Sequence, residues 1–66
     1  MKVTVNGEEC TVADGTTVAD LMAERGLTSE GTAVAVDAAV VPSSTWADHV
    51  LAEGAHVDIL TAVQGG

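Results

Sequence analysis

The sequence predicts an α+β domain in which a mixed sheet packs against one main helix and a short helical segment. Three observations predict this class. Two alternating strands flank a tight turn, an amphipathic helix follows them, and two further strands enclose a second helical segment. A chain of 66 residues is near the lower limit for a single hydrophobic core, so one domain is expected.

The first two strands are predicted by the segment KVTVNGEECTVA. Apolar and polar residues alternate on both sides of Asn6-Gly7, a pair that supplies the positive φ angles of a two-residue turn. With this turn, Val3 lies opposite Cys10 on the inward face of the sheet.

The main helix is predicted by the segment ADGTTVADLMAERGL. Thr17 and Asp20 have the spacing of a capping box, and Gly26 is a natural helix stop. Apolar residues at helical spacing between these points form the face that we expect to be buried. These residues are Val18, Leu21 and Met22.

Two later strands are predicted from alternation. TAVAVDAAVVP is expected to begin as a strand whose valines face the core, followed by a turn over Asp37-Ala38-Ala39. HVDIL is expected to be the last strand, with Val57 and Ile59 inward and Leu60 outward.

Between these strands, STWADHVLAEG predicts the short helical segment. Thr45 and Asp48 lie at cap spacing, and Gly54 is expected to end the segment. Trp46 and Val50 are one helical turn apart, so we expect both to close one edge of the core.

The charge of the chain excludes several classes of partner. Its net charge is −8, whereas nucleic acids and anionic membranes are bound mainly through Lys and Arg. Proteins with basic surfaces are the expected partners, although acidity can also serve solubility alone. The sequence has no membrane-length apolar run, no signal-peptide pattern and a single cysteine, so we expect a cytoplasmic protein that is monomeric when alone.

The polar side chains do not predict a catalytic or metal site. Cys10 is expected to be a small core residue, because it lies in the inward register with no His or Lys patterned near it. His49 and His56 lack a second ligand at metal-binding spacing and are expected at the surface. No metal site and no bound cofactor are therefore predicted.

The C-terminal segment TAVQGG is the remaining candidate. One interpretation is a frayed chain end. The other is that the carboxylate of Gly66 is the working group, delivered by Gly65 and Gln64, because a chain this thin can enter a narrow channel. A carboxylate becomes an acyl donor once ATP adenylates it. Leu60 and Val63 add an apolar docking patch near the root of the tail.

The order of elements, the length and the Gly-Gly end together indicate the ubiquitin-like β-grasp fold. We expect residues 1–62 to form the β-grasp domain and residues 63–66 to form a flexible tail. In this division, the folded domain anchors the tail, and the tail carries the working group.

Four segments carry a resemblance to a known family: VNGE, GTTVADLM, VAVD followed by VVPSSTW, and LAEGAHVDILTAVQGG. Over its whole length the chain resembles the ThiS family, the sulfur carrier proteins of thiamin biosynthesis. Two positions depart from the family pattern, which often has Asn at the position of Asp37 and a basic residue at that of Ser43. The second departure makes this chain more acidic and leaves the terminus untouched.

The resemblance implies a carrier that is not itself an enzyme. An E1-like adenylyltransferase of the ThiF type would adenylate Gly66 with ATP, and sulfur from a cysteine-derived persulfide, made by a cysteine desulfurase, would convert it to a thiocarboxylate. Thiazole synthase would then receive the sulfur for thiazole ring formation.

Three alternatives share some of these features. A sulfur carrier for molybdopterin synthesis would have the same fold and chemistry, although such chains tend to be longer and to lack TAVQGG. A ubiquitin-like modifier would form isopeptide bonds to lysines. A plain interaction domain would not need a free Gly66.

Overall fold

The computed structural model describes residues 1–62. Within these residues, five strands, one α-helix and one 3-10 segment follow one another. They are β1 (Lys2–Val5), β2 (Glu8–Thr11), α1 (Val18–Glu24), β3 (Thr32–Val36), β4 (Ala39–Val40), the 3-10 segment (Ser43–Asp48) and β5 (His56–Thr61). The sheet order is β2-β1-β5-β3-β4, with β1 and β5 parallel and the other neighbours antiparallel. The predicted α+β class and mixed sheet are confirmed.

The first hairpin has the predicted register. Val3 pairs with Cys10, and the turn residues Asn6 and Gly7 have φ angles of 49° and 85°. These left-handed angles match the twist of the two strands, which explains why an Asn-Gly pair selects a two-residue turn.

The helix α1 begins and ends as its sequence predicts. The side chain of Thr17 accepts a hydrogen bond from the backbone of Asp20 at 3.1 Å, and the Asp20 carboxylate accepts one from the backbone of Thr17, also at 3.1 Å. At the other end Gly26 has a φ of 72°, and the Leu27 amide donates to the Met22 carbonyl at 2.9 Å. Both ends of the helix are therefore capped by local residues.

The core lies between the inner face of the sheet, α1 and the 3-10 segment. It is aliphatic except for one tryptophan, and the described residues bury no polar or charged side chain. Its members are Val3, Val5, Val12, Val18, Leu21, Met22, Val34, Val36, Val41, Trp46, Leu51, Ala55, Val57 and Ile59.

The predicted three-residue turn after β3 is wrong by one residue. Only Asp37 and Ala38 form the turn, with φ angles of 50° and 71°, and Ala39 pairs with Val36 as the first residue of β4. A two-residue turn with left-handed angles suits the strand twist better than a three-residue one. The sequence did not reveal the length of this turn, because neither of its two residues is a glycine.

The predicted boundaries of the short helical segment are also wrong. It is a 3-10 helix preceded by Pro42, and it ends at Asp48, so Gly54 lies in a separate turn farther along. The Thr45 hydroxyl donates to the Pro42 carbonyl at 2.9 Å, and no side chain caps the segment. The expected cap between Thr45 and Asp48 is therefore absent.

Trp46 is buried as predicted, and its indole N–H donates to the Val41 carbonyl at 2.9 Å. Val50 is 58% exposed, which contradicts the prediction that it closes the core, and Leu51 is buried in its place. After the 3-10 segment the chain is extended and Val50 forms a β-bridge with Thr17, so helical spacing does not apply there.

Candidate functional site at the end of the last strand

The strand β5 lies between β1 and β3 and leads the chain toward its C-terminus. Its two neighbours support it unequally. It pairs with β3 at five positions, from Val36–Val57 to Thr32–Thr61, but with β1 at only two, Thr4–His56 and Val5–Val57. The later half of β5 is therefore aligned by β3.

Two further hydrogen bonds hold this later half. On the β1 side, the Asn6 side-chain oxygen accepts from the Ile59 amide at 2.8 Å, after β1 has turned away. On the β3 side, the Ala62 amide donates to the Gly31 carbonyl at 2.7 Å. Ala62 is the last residue that the structure describes, and it is fixed beside the start of β3.

The predicted site residues fall into two groups. Leu60 lies in β5 and is 72% exposed, which confirms that it faces outward. Val63, Gln64, Gly65 and Gly66 lie outside the described residues, as does the predicted tail as a whole.

Leu60 belongs to a larger apolar surface on the outer face of the sheet. The strand register places Ala33 opposite Leu60, and Ala35 pairs with Val40, which is 77% exposed. We call Leu60, Ala33, Ala35 and Val40 the outer-face patch. The sequence analysis did not assign Val40 to this surface, although its position next to the buried Val41 is the signal that could have placed it there.

The border of the outer-face patch is acidic. Asp58 lies on the same face of β5, opposite Ala35. Nearby, the Asp37 carboxylate accepts a hydrogen bond from the His56 amide at 3.0 Å, and 4.0 Å separate it from the His56 ring nitrogen. An apolar centre with carboxylates at its edge suits a partner surface that is apolar with a basic border.

Cys10 and the two histidines do not form a catalytic or metal site in the described residues. Cys10 is partly buried and packs against the core, with the Arg25 guanidinium 3.6 Å from its sulfur, a contact that the sequence analysis missed. His56 is exposed, as predicted, and His49 is partly buried. Among residues 1–62, no group of three His, Cys, Asp or Glu side chains is arranged to hold a metal ion.

The described part of the chain encloses no pocket in which a small substrate could be held. Within residues 1–62, neither helical segment is long and apolar enough to cross a bilayer. What the arrangement offers is an exposed apolar surface on the sheet, beside the strand that ends one residue before Ala62, the last described residue.

Comparison with known proteins places this arrangement in a family. The ThiS family matches residues 3–66. The sulfur carrier protein ThiS of Escherichia coli (strain K12) is 27% identical over 66 residues, which cover all of both chains. A crystal structure of the thiamine biosynthesis protein ThiS from Geobacter metallireducens covers all of both chains with a TM-score of 0.84 and 26% identity.

A solution structure of a thiamine biosynthesis protein, also from Geobacter metallireducens, has a TM-score of 0.83 and 26% identity. The match covers all of this chain and 88% of that one. Sequence and fold thus agree over the full length of the chain. The chain belongs to the ThiS family of sulfur carrier proteins of thiamine biosynthesis, which are carriers and not enzymes.

Proposed function

We propose that the carboxylate of Gly66 carries sulfur as a thiocarboxylate. The observation that supports this most directly is the family match over residues 3–66, which includes the Gly-Gly pair. The donated sulfur is used to form the thiazole ring in thiamine biosynthesis.

The chemistry requires activation before sulfur can be added. A carboxylate oxygen of Gly66 attacks the α-phosphorus of ATP, which forms an acyl-adenylate and releases pyrophosphate. A cysteine-derived persulfide then attacks the acyl carbon, and AMP leaves. Cleavage of the sulfur–sulfur bond by a thiol leaves the thiocarboxylate on Gly66. The partner enzymes supply the catalytic groups for each of these steps.

Residues 63–66 act in this proposal as a flexible arm on the domain formed by residues 1–62. At about 3.3–3.6 Å per residue, these four residues reach on the order of 13 Å from Ala62. Gly65 and Gly66 have no side chains, so the arm can pass through a channel too narrow for other residues. Gln64 and the glycines can bury little surface of their own, which favours mobility in the free protein.

Docking is assigned to the outer-face patch together with Val63. Leu60 and Val40 supply exposed apolar surface, and Asp58 supplies charge at its edge. The first partner is an E1-like adenylyltransferase of the ThiF type, and thiazole synthase receives the sulfur. Sulfur reaches the carrier from a persulfide made by a cysteine desulfurase.

The test is an intact mass of the protein purified from its native host. Replacement of one oxygen by sulfur at Gly66 is the expected result, and a variant lacking Gly66 should show no such replacement. Covalent attachment of the protein to lysines of many other proteins would instead identify a ubiquitin-like modifier. A loss of molybdopterin, with thiamine unaffected, on removal of the protein from its host would identify the other sulfur carrier class.

A further inference from the structure

We propose that Gly31 is a positioning residue, whose main-chain carbonyl fixes the root of the arm at Ala62. This inference rests on the proposed function, because it concerns how the Gly66 carboxylate is delivered. The carbonyl would thereby set the length of chain that is free to enter a partner enzyme.

The contact extends the pairing of β3 with β5 by one position. Thr32 pairs with Thr61, and beyond that pair the Ala62 amide donates to the Gly31 carbonyl at 2.7 Å. This is a short, well-formed backbone hydrogen bond. It is also the last one on the β3 side before the four residues of the arm.

The position of the carbonyl depends on the conformation of Gly31. Its φ is 68°, in the left-handed region that glycine enters freely and β-branched residues avoid. Two longer contacts across the same turn, each of 3.4 Å, join Thr32 to the carbonyls of Ser29 and Glu30. A side chain that forbids the left-handed angle must therefore move the carbonyl.

In the described residues, the support of Ala62 comes from the β3 side. The β1 pairing ends at Val5–Val57, and the Asn6 side chain reaches only as far as Ile59. Because successive residues of a strand direct their amides to opposite neighbours, the Thr61 amide points away from β3. Loss of the Gly31 contact thus leaves Leu60, which pairs with Ala33, as the last residue held by β3.

The free arm would then grow from residues 63–66 to residues 61–66, from four residues to six. Two more residues must be ordered each time the arm enters the partner's channel, and each costs conformational entropy. Fewer docked complexes therefore hold an inserted arm, which lowers kcat. The KM for the carrier changes little, because the outer-face patch still docks. We expect a decrease in kcat of about thirtyfold or more.

The experiment measures ATP-dependent adenylation by the activating enzyme for four variants. Gly31→Val should show the decrease in kcat with KM within about twofold of wild type. Ala62→Pro, which removes the donating N–H, should show the same decrease. Gly31→Asn should retain most of the wild-type rate, because Asn tolerates left-handed angles. Gly15→Val is the control, since Gly15 has a φ of 88° in the turn before α1, far along the chain from the arm.

A second measurement makes the inference independent of the enzyme. Backbone order parameters of Thr61 in the free protein should fall in Gly31→Val and Ala62→Pro and remain at wild-type values in Gly15→Val. Failure of the wild-type protein to be adenylated at Gly66 would contradict the proposed function, and the order parameters would still decide the role of Gly31.

Either of two results would overturn the inference. One is a wild-type kcat together with a wild-type Thr61 order parameter in folded Gly31→Val. The other is an equal loss of kcat in Gly15→Val, which would trace the effect to general destabilisation.

Discussion

The two faces of β5 differ in burial although they alternate along the same six residues. On the inner face, Val57 and Ile59 are 1% and 8% exposed and pack in the core. On the outer face, Leu60 is 72% exposed and belongs to the outer-face patch. Because strand side chains alternate, the same strand can stabilise the domain with one face and present a docking surface with the other.

The separation has a practical consequence for experiments. A substitution on the inner face should change the free energy of unfolding, and one on the outer face should change partner affinity. A change at Gly65 or Gly66, at the end of the arm, should alter neither of these quantities and remove the chemistry alone. Variants of the three kinds can therefore test whether these regions act independently.

Deletion of Gly66 should have the largest effect. The truncated arm is about 3.5 Å shorter, whereas attack requires reacting atoms within roughly 3–3.5 Å, so adenylation should be lost. Both faces of β5 are untouched, so the free energy of unfolding and the affinity for the activating enzyme should match wild type.

A companion variant, Gly65→Val, keeps the length of the arm but adds a side chain that should block the channel. Adenylation and binding are measured for both variants. Wild-type adenylation after the deletion of Gly66 would show that another group is the acceptor.

Ile59→Ala should have the next largest effect and should act on stability. Removal of a buried side chain of this size costs about 2–5 kcal/mol, since a cavity remains. Urea denaturation measures the loss. Under conditions in which the variant is folded, its affinity for the activating enzyme should be unchanged, because the outer face is intact. A large loss of affinity in the folded variant would mean that the two faces of β5 are coupled.

Leu60→Asp should have the opposite effect to Ile59→Ala: it should lower partner affinity and leave stability nearly unchanged. A charge within the outer-face patch should weaken binding to the activating enzyme by about tenfold, roughly 1.4 kcal/mol. The free energy of unfolding should change by no more than about 0.5 kcal/mol, because the side chain is exposed.

Val50→Asp is the matched control for Leu60→Asp. Val50 is also an exposed apolar residue, but it lies beside the start of α1, bridged to Thr17. Both substitutions add one negative charge, so any general electrostatic effect of that charge on binding would be equal in the two variants. Equal losses would contradict the assignment of docking to the outer-face patch.

The sequence predicted those elements whose signals are local. Asn6-Gly7 specified its turn through left-handed angles, and Thr17 with Asp20 capped α1 through short-range hydrogen bonds. The alternation of β5 correctly placed Leu60 outward. In these cases the residues that carry the signal also make the contact.

The sequence failed where the contacts that decide the structure are not evident from residue type and spacing. Thr45 and Asp48 have the spacing of a helix cap, but a 3-10 segment forms after Pro42. There the Trp46 indole N–H donates a hydrogen bond to the Val41 carbonyl. Val50 lies outside the core because its backbone forms a β-bridge with Thr17, just before α1. The contact between Gly31 and Ala62 was also unforeseen, since neither residue type reveals a partner about half the chain away.

Ala38→Gly should have the smallest effect, and it concerns the turn that leads to Val40 of the outer-face patch. Ala38 has a φ of 71°, where a residue with a Cβ pays roughly 1–2 kcal/mol. Glycine removes this cost, but its greater conformational freedom stabilises the unfolded state by about 0.5–1 kcal/mol. The net stabilisation of the folded protein should therefore be about 0.5–1 kcal/mol. Thermal and urea unfolding measure it.

Two variants control for the effect of glycine itself. Ala39→Gly, one residue later in β4, lacks the left-handed angle and should destabilise the protein by about 0.5–1 kcal/mol. Gly7→Ala makes the reverse change in the first hairpin, at a φ of 85° with open space around the added carbon, and should destabilise it through the backbone alone. If Ala38→Gly destabilised the protein as much as Ala39→Gly, the left-handed angle at Ala38 would carry no cost. The turns of the β1–β2 and β3–β4 hairpins would then differ in sequence without differing in backbone strain.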